Sequence, residues 1–175
     1  VNIPGASRPL LELSIKKTVE EFLRRSGAYS KALPNIALVA GRKTYTIPKA
    51  PEGPILFIHA IFYGAQPLSF ADGMTWERLS SEEQGTPRVF RAYLDDPYRV
   101  SLYPTPSVAD AEGIVPFVSL GYDSECQMSF PPVIKTHWYE AILSGSIYRL
   151  AAQPRKPYSN PDLAVLHGRL FRSAI

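Results

Sequence analysis

Cysteine is all but missing: Cys126 is the single one in 175 residues. One thiol closes no internal disulfide, and no second ligand stands at metal-binding spacing from it. A disulfide-stapled scaffold and a zinc module are therefore excluded, and a free buried thiol is expected. Long apolar runs are missing too. The longest, Ile55 to Tyr63, has nine residues, against the roughly 20 that a membrane-spanning helix needs. The opening residues Val1-Asn2-Ile3-Pro4-Gly5 have neither the basic start nor the apolar stretch of a secretory signal, so a soluble protein made in a reducing compartment is expected. There is no long repeat, heptad pattern or low-complexity tract. Hydrophobic content of 45% with 20% charged residues excludes global disorder.

Residues that carry chemistry are equally sparse. There are three histidines, His59, His137 and His167, and none stands four residues from another as a helical zinc pair requires. Leu143-Ser144-Gly145-Ser146 lies inside a helical pattern, so it is no nucleophile elbow. Cys126 has no histidine that the sequence assigns to it. The paired carboxylates Glu20-Glu21, Glu82-Glu83 and Asp95-Asp96 are sequence neighbours, whose side chains diverge, and they read as solvated. Gly41-Arg42-Lys43-Thr44 lacks the first glycine of a phosphate loop and reads as a turn. The expectation is no catalytic residue, no metal and no cofactor. A small hydrolase would need an unrecognised site around His59 or Cys126.

What the chain has in excess is proline, 17 residues, about twice average usage. Scattered as they are, the prolines divide the chain into short elements joined by stiff turns. Leu11, Ile15, Val19, Phe22 and Leu23 form an apolar stripe at helical spacing, from a start near Ser7 to a stop at Ser26-Gly27. The middle reads as strands over residues 43–47, 55–63, 88–94, 99–103 and 114–122, with antiparallel pairing and turns at Gly64-Ala65 and Asp95 to Tyr98. Residues 70–85 read as a loop or a short helix. A second helix is predicted from about Pro132 to Ala152, with Gly145 as a point of close helix approach. A third starts at Asn160-Pro161-Asp162, with Leu163, Leu166, His167, Leu170, Phe171 and Ala174 facing inward. The predicted fold is α+β: N- and C-terminal helices (residues 1–31 and 132–175) pack as a small bundle around a central, antiparallel, sandwich-like β-rich insert (residues 32–131).

Charge follows the same division. The two ends carry 12 basic and 5 acidic residues, or +7, and the middle carries 7 and 11, or −4. Solvated helix faces account for this, and so do opposite poles that meet opposite partners, copies of the chain included. Arg149, Arg155, Lys156, Arg169 and Arg172, with Tyr148 and Tyr158, form the densest basic set. It could contact DNA phosphates without sequence preference, which makes a nonspecific nucleic-acid-binding module the alternative function.

Several stretches stand in a recognisable order. Pro4-Gly5 precedes a helix containing Val19-Glu20-Glu21-Phe22-Leu23. Tyr45-Thr46-Ile47-Pro48 leads to an apolar strand and a turn from Gly64 to Leu68. Gly85-Thr86-Pro87 and Tyr103 to Pro106 follow. The series ends with Trp138, Ala141-Ile142, Gly145, Arg149-Leu150, Pro154 to Tyr158, Asn160-Pro161, Ala164 and Phe171. In this order the chain resembles the small head-to-tail connector (adaptor) proteins of tailed bacteriophages. The resemblance implies a virion neck protein, synthesised in the bacterial host cytoplasm, that forms a homo-oligomeric ring, typically of twelve copies. Such a ring sits beneath the portal protein, extends the channel for packaged double-stranded DNA, helps to seal the genome until ejection, and docks the next neck or tail protein. Within it, Lys16, Lys17, Arg24, Arg25, Arg149, Arg155, Lys156, Tyr158, Arg169 and Arg172 are candidates for ring and portal contacts. Glu52, Trp76, Glu82 and Glu83 are candidates on tail-side loops.

Overall fold

The computed structural model describes residues 4–79, 82–93, 95–122 and 130–175. Cys126 and its neighbours from Asp123 to Gln127, and the predicted strand end at Leu94, lie outside the described residues. In chain order the elements are α1 (Arg8–Ser26), β1 (Ser30–Ala32), β2 (Ile36–Leu38), β3 (Thr44–Thr46), β4 (Ile55–Tyr63), β5 (Gln66–Pro67), β6 (Ser69–Phe70), α2 (Gly73–Glu77), β7 (Gln84–Gly85), β8 (Val89–Ala92), β9 (Arg99–Tyr103), β10 (Thr105–Pro106), β11 (Asp110–Leu120), α3 (Pro132–His137), α4 (Tyr139–Ala151) and α5 (Pro161–Ser173). The chain is thus mixed α+β, and it divides into two compact units, residues 1–29 with 121–175 and residues 30–120. No helix among the described residues is long and apolar enough to cross a membrane.

In the helical unit, α1 ends as its sequence dictates. Gly27 takes the left-handed conformation (φ 61°) and its N–H reaches the Leu23 carbonyl at 3.0 Å. Val19, Phe22 and Leu23 are fully buried. The Phe22 ring stands 5.1 Å from Trp138 and 6.4 Å from Phe171, a burial that stabilises the unit by roughly 1.5–3 kcal/mol. Ser14 and Thr18 join this face: Thr18 donates to the Ser14 carbonyl (2.8 Å) and Ser14 to the Ser146 carbonyl on α4 (3.1 Å). Small residues there bring α1 close to α4.

Two helical expectations need correction. The predicted single helix of residues 132–152 is broken at Trp138 (φ −121°, ψ 14°), which caps α3 and opens α4. The kink turns the indole onto Phe22 while α4 keeps its own small-residue face inward. On α5, Asn160 caps as expected, its side chain accepting from the Leu163 N–H at 3.1 Å. The inward face differs, however. Phe171 is buried as expected, but Ala164 and Gly168 are buried beside it, whereas Leu163, Leu166 and Leu170 are 37%, 54% and 48% exposed. Close approach decided this: Gly168 lies under the Tyr148 ring, and the Phe171 ring lies over Gly145.

In the strand-rich unit β11 is central. It pairs antiparallel with β1, β2 and β4, and β4 turns back into β5. A second sheet runs β3-β9-β8-β6. The all-antiparallel expectation is corrected at two places, since β6 pairs parallel with β8 and β7 parallel with β10. The chain leaves β5, crosses to the second sheet through Leu68, and reaches β8 only after α2 and β7. A crossover of that length is what parallel pairing requires. The segment that reads as loop or short helix contains α2, capped by Asp72, whose carboxylate accepts from the Thr75 N–H at 2.7 Å.

A bulge interrupts β11 between Asp110 and Ile114. Asp110 organises it by accepting from the Tyr63 hydroxyl and from the Gly113 and Glu112 amides, which hold its carboxyl below the usual carboxylate range. The same bond to Asp110 raises the Tyr63 phenol above its ordinary value. The signs are opposite. The Asp110 contribution is complete above the unfolded carboxylate value (about 3.9) and is lost as pH falls through the lowered one. The Tyr63 contribution is complete below about 10 and is lost as pH rises through the raised value. Urea midpoints measured against pH should therefore decline at both extremes, and Tyr63→Phe should abolish the alkaline decline specific to this pair. An unchanged alkaline limb would refute the assignment.

Candidate functional site

The basic residues predicted to make contacts fall into two groups. On α1, Lys17 and Arg24 pair with Glu20 at 2.9 and 3.1 Å, and Arg25 pairs with Glu21 at 3.3 Å. Such pairs at three- and four-residue spacing are worth less than about 1 kcal/mol each, but they cancel much of the charge that α1 displays. Arg149 on α4 also pairs with Glu21, so its guanidinium ties α4 to α1. Half-buried Lys16 stands apart from these pairs.

The second group is uncompensated. Among the described residues Arg155, Lys156, Arg169 and Arg172 make no ion pair, and all four are exposed. Arg155 sits in the bend between α4 and α5 with φ 59°, a left-handed conformation uncommon for a residue other than glycine. The bend is fixed from within: the Tyr158 hydroxyl donates to the Gln153 amide oxygen at 2.9 Å, and the Asn160 N–H donates to the Ala151 carbonyl at 3.0 Å. Gly5 lies against Pro157, so the Pro4-Gly5 segment supports the same bend. Tyr158 is accordingly half-buried.

The observed boundaries also redraw the charge. Residues 1–29 and 121–175 carry 11 basic and 7 acidic side chains, or +4, and residues 30–120 carry 8 and 9, or −1. Lys31, Asp123 and Glu125 account for the change from +7 and −4. The helical unit is still the basic one, and its uncompensated cations concentrate on the bend and α5.

Two apolar features of this unit have no counterpart in the sequence reading. One is the solvent-facing ridge Leu163, Leu166 and Leu170 on α5, with Val165 on its far side. The other is a groove of about 350 Å³ between α1, α3 and α4, lined by Ile15, Phe130, Tyr139, Ile142 and Leu143. Tyr139 is 62% exposed at its mouth.

In the strand-rich unit the tail-side candidates are mostly engaged internally. Glu52 pairs with Lys31, which holds its carboxyl below the usual range. Trp76, expected on a loop surface, is buried on α2, with Tyr103 at 6.5 Å edge-on and the Lys43 ammonium 5.0 Å above its ring. Glu83 accepts from Arg88 at 3.0 Å and from the Tyr103 hydroxyl. Glu82 is exposed, and within the same 70–85 segment so are Phe70 and Met74, at 63% and 71%. His59 Nε2 contacts the hydroxyls of Ser119 and Ser30, but Ser119 is fully buried in β11 and cannot meet a substrate. His137 is exposed on α3 and His167 is half-buried on α5. Among the described residues no three His, Cys, Asp or Glu side chains gather as a metal site would require. Compared with models of known protein families and with curated proteins, the chain matches none.

Proposed function

We propose that this chain is a structural head-to-tail connector of a tailed bacteriophage. Copies form a ring, of twelve in the simplest case, below the portal in the virion neck. The ring continues the channel through which double-stranded DNA passes without sequence readout, and it docks the next neck or tail protein. The observation that carries this is α5. A capped, well-packed helix holds three leucines in solvent beside Arg169 and Arg172, which are uncompensated. Contiguous exposed apolar surface rimmed by polar groups is the mark of an interface, and the order of sequence elements supplies the family. In this reading the helices act as a small bundle that makes the ring and portal contacts. The β-rich, sandwich-like insert offers Glu82, with the exposed Phe70 and Met74 of the same segment, to the tail side.

Mixing the purified protein with the portal of the same virus tests the proposal. Negative-stain images should show a second ring stacked on the portal, with an added mass of about 230 kDa if twelve copies of 19.4 kDa join. A chain that stays monomeric beside the portal overturns it. Salt-steep binding to duplex DNA that Arg155→Ala with Lys156→Ala abolishes, in the absence of any ring, would favour the nucleic-acid-binding alternative instead.

A further inference from the structure

We infer that the contact between neighbouring copies is head-to-tail, with the α5 leucine ridge of one copy seated in the α1/α3/α4 groove of the next. The inference rests on the connector reading and names the surface that would close its ring.

The two surfaces lie on opposite sides of one rigid piece of α4. Gly145 and Tyr148 face α5, through Phe171 and Gly168, whereas Tyr139, Ile142, Leu143 and Ser146 line the groove. At 3.6 residues per turn these two sets are centred about 140° apart around the helix. A ridge and a groove on opposite sides cannot satisfy each other within one copy. A two-fold pair that buries the ridge against itself would leave the groove open. Each copy can bury both only by offering its ridge to one neighbour and its groove to another, which is the heterologous arrangement that generates rings.

Form and charge agree with this occupant. Leu163, Leu166 and Leu170 recur at spacings of three and four, the pattern by which an amphipathic helix lies in an apolar groove. The ridge is bordered by Asp162 near the N-terminus of α5 and Arg169 two turns on. Lys135 lines the groove, Lys16 lines the adjoining cleft beside Ile15 and Phe130, and both lysines, like Asp162 and Arg169, are without an ion pair among the described residues. The groove side thus offers unmatched positive charge, and Asp162 at the edge of the ridge can meet one of its lysines. Complementary charges of this kind fix register and exclude wrong partners.

The test separates this contact from the connector reading. Leu166→Asp with Leu170→Asp removes the ridge at exposed positions. Tyr139→Asp blocks the groove mouth at the first position of α4, where an acidic side chain suits the helix dipole. Far-UV circular dichroism should show both variants folded. In sedimentation velocity, wild type should associate with rising concentration and each variant alone should stay monomeric. An equal mixture should recover dimers and stop there, because one intact ridge meets one intact groove. Loss of association in the ridge variant alone would overturn the contact in favour of ridge-to-ridge pairing, and no effect of either variant would overturn it outright. Wild type that remains monomeric at several hundred micromolar would also overturn it. The connector proposal stands or falls separately, on whether a ring forms on the portal.

Discussion

Gly113→Ala is expected to lower the stability of the strand-rich unit by more than about 3 kcal/mol, a large share of the 5–15 kcal/mol that holds a typical domain folded. Gly113 lies in the β11 bulge with φ +48°, where an added Cβ would stand 2.0 Å from the Ile36 carbonyl oxygen and 2.9 Å from the Ala37 Cα. The left-handed conformation alone costs an L-residue about 1–2 kcal/mol. The larger part is the clash, because both obstructing groups are backbone of β2 and cannot rotate away. Relieving it pushes β2 off β11, and with it go the bulge amides that Asp110 holds. Gly64→Ala is the matched control: its φ is +58° and nothing stands within 4 Å of the added carbon. The chain has two tryptophans, Trp76 in the strand-rich unit and Trp138 in the helical one. Urea unfolding followed by Trp76 fluorescence in a Trp138→Phe background therefore reports on this unit. Equal midpoints for the two glycine variants would mean that the bulge does not bring β2 against Gly113.

What could be read from the sequence divides by range. The α1 stripe and its Gly27 stop are local features, as are the Asn160-Pro161-Asp162 cap and the unbroken apolar strand from Ile55 to Tyr63. Local chemistry determines them, so they are visible without a structure. The orientation of α5 is not local. Hydrophobic periodicity counts leucines and assigns Leu163, Leu166 and Leu170 inward. The core kept the expected Phe171 but took Ala164 and Gly168 in place of the leucines, because Tyr148 and Gly145 on α4 demand a small residue and a ring opposite them. An interface of small residues has almost no hydropathic signature. The break at Trp138 was hidden for a related reason: neither proline nor glycine marks it, and it arises from where the indole must pack. The two-residue strands β6, β7 and β10 owe their existence to partners about 20 residues away in sequence. The candidate surface was legible as charge. Which cations stay uncompensated depended on Glu20 and Glu21, which engage Lys17, Arg24, Arg25 and Arg149. The groove could not be read at all, since α1, α3 and α4 assemble it across more than a hundred residues of chain.

The same crossing supplies the second large effect. Gly145→Ala is expected to destabilise the helical unit by about 2 kcal/mol, although alanine favours an isolated helix by about 1 kcal/mol. An added Cβ would lie 2.5 Å from Thr18 Cγ2 on α1 and 2.7 and 2.8 Å from two ring carbons of Phe171 on α5. Both neighbours are buried, at 0% and 3% exposure, so neither can swing into solvent. Overpacking of a close-packed core costs about 1–3 kcal/mol, and contact with two helices at once puts this case at the upper end before the propensity gain is subtracted. Thr18→Ser should rescue part of the loss. It deletes Cγ2 while keeping the hydroxyl that donates to Ser14, but the Phe171 contacts remain. Trp138 fluorescence in a Trp76→Phe background follows the transition. A rescue as large as the loss would place the whole strain on α1, and no loss at all would mean that the helices do not cross this closely. The displacement also has a functional signature. Because Phe171 and Gly168 seat α5 on α4, moving the ring tilts the leucine ridge away from the line on which a neighbour's groove would meet it. Gly145→Ala should therefore weaken self-association without altering one exposed side chain, and Thr18→Ser should restore association in proportion to stability. Association that is insensitive to both would detach the ridge from the assembly and leave the crossing with a purely structural role.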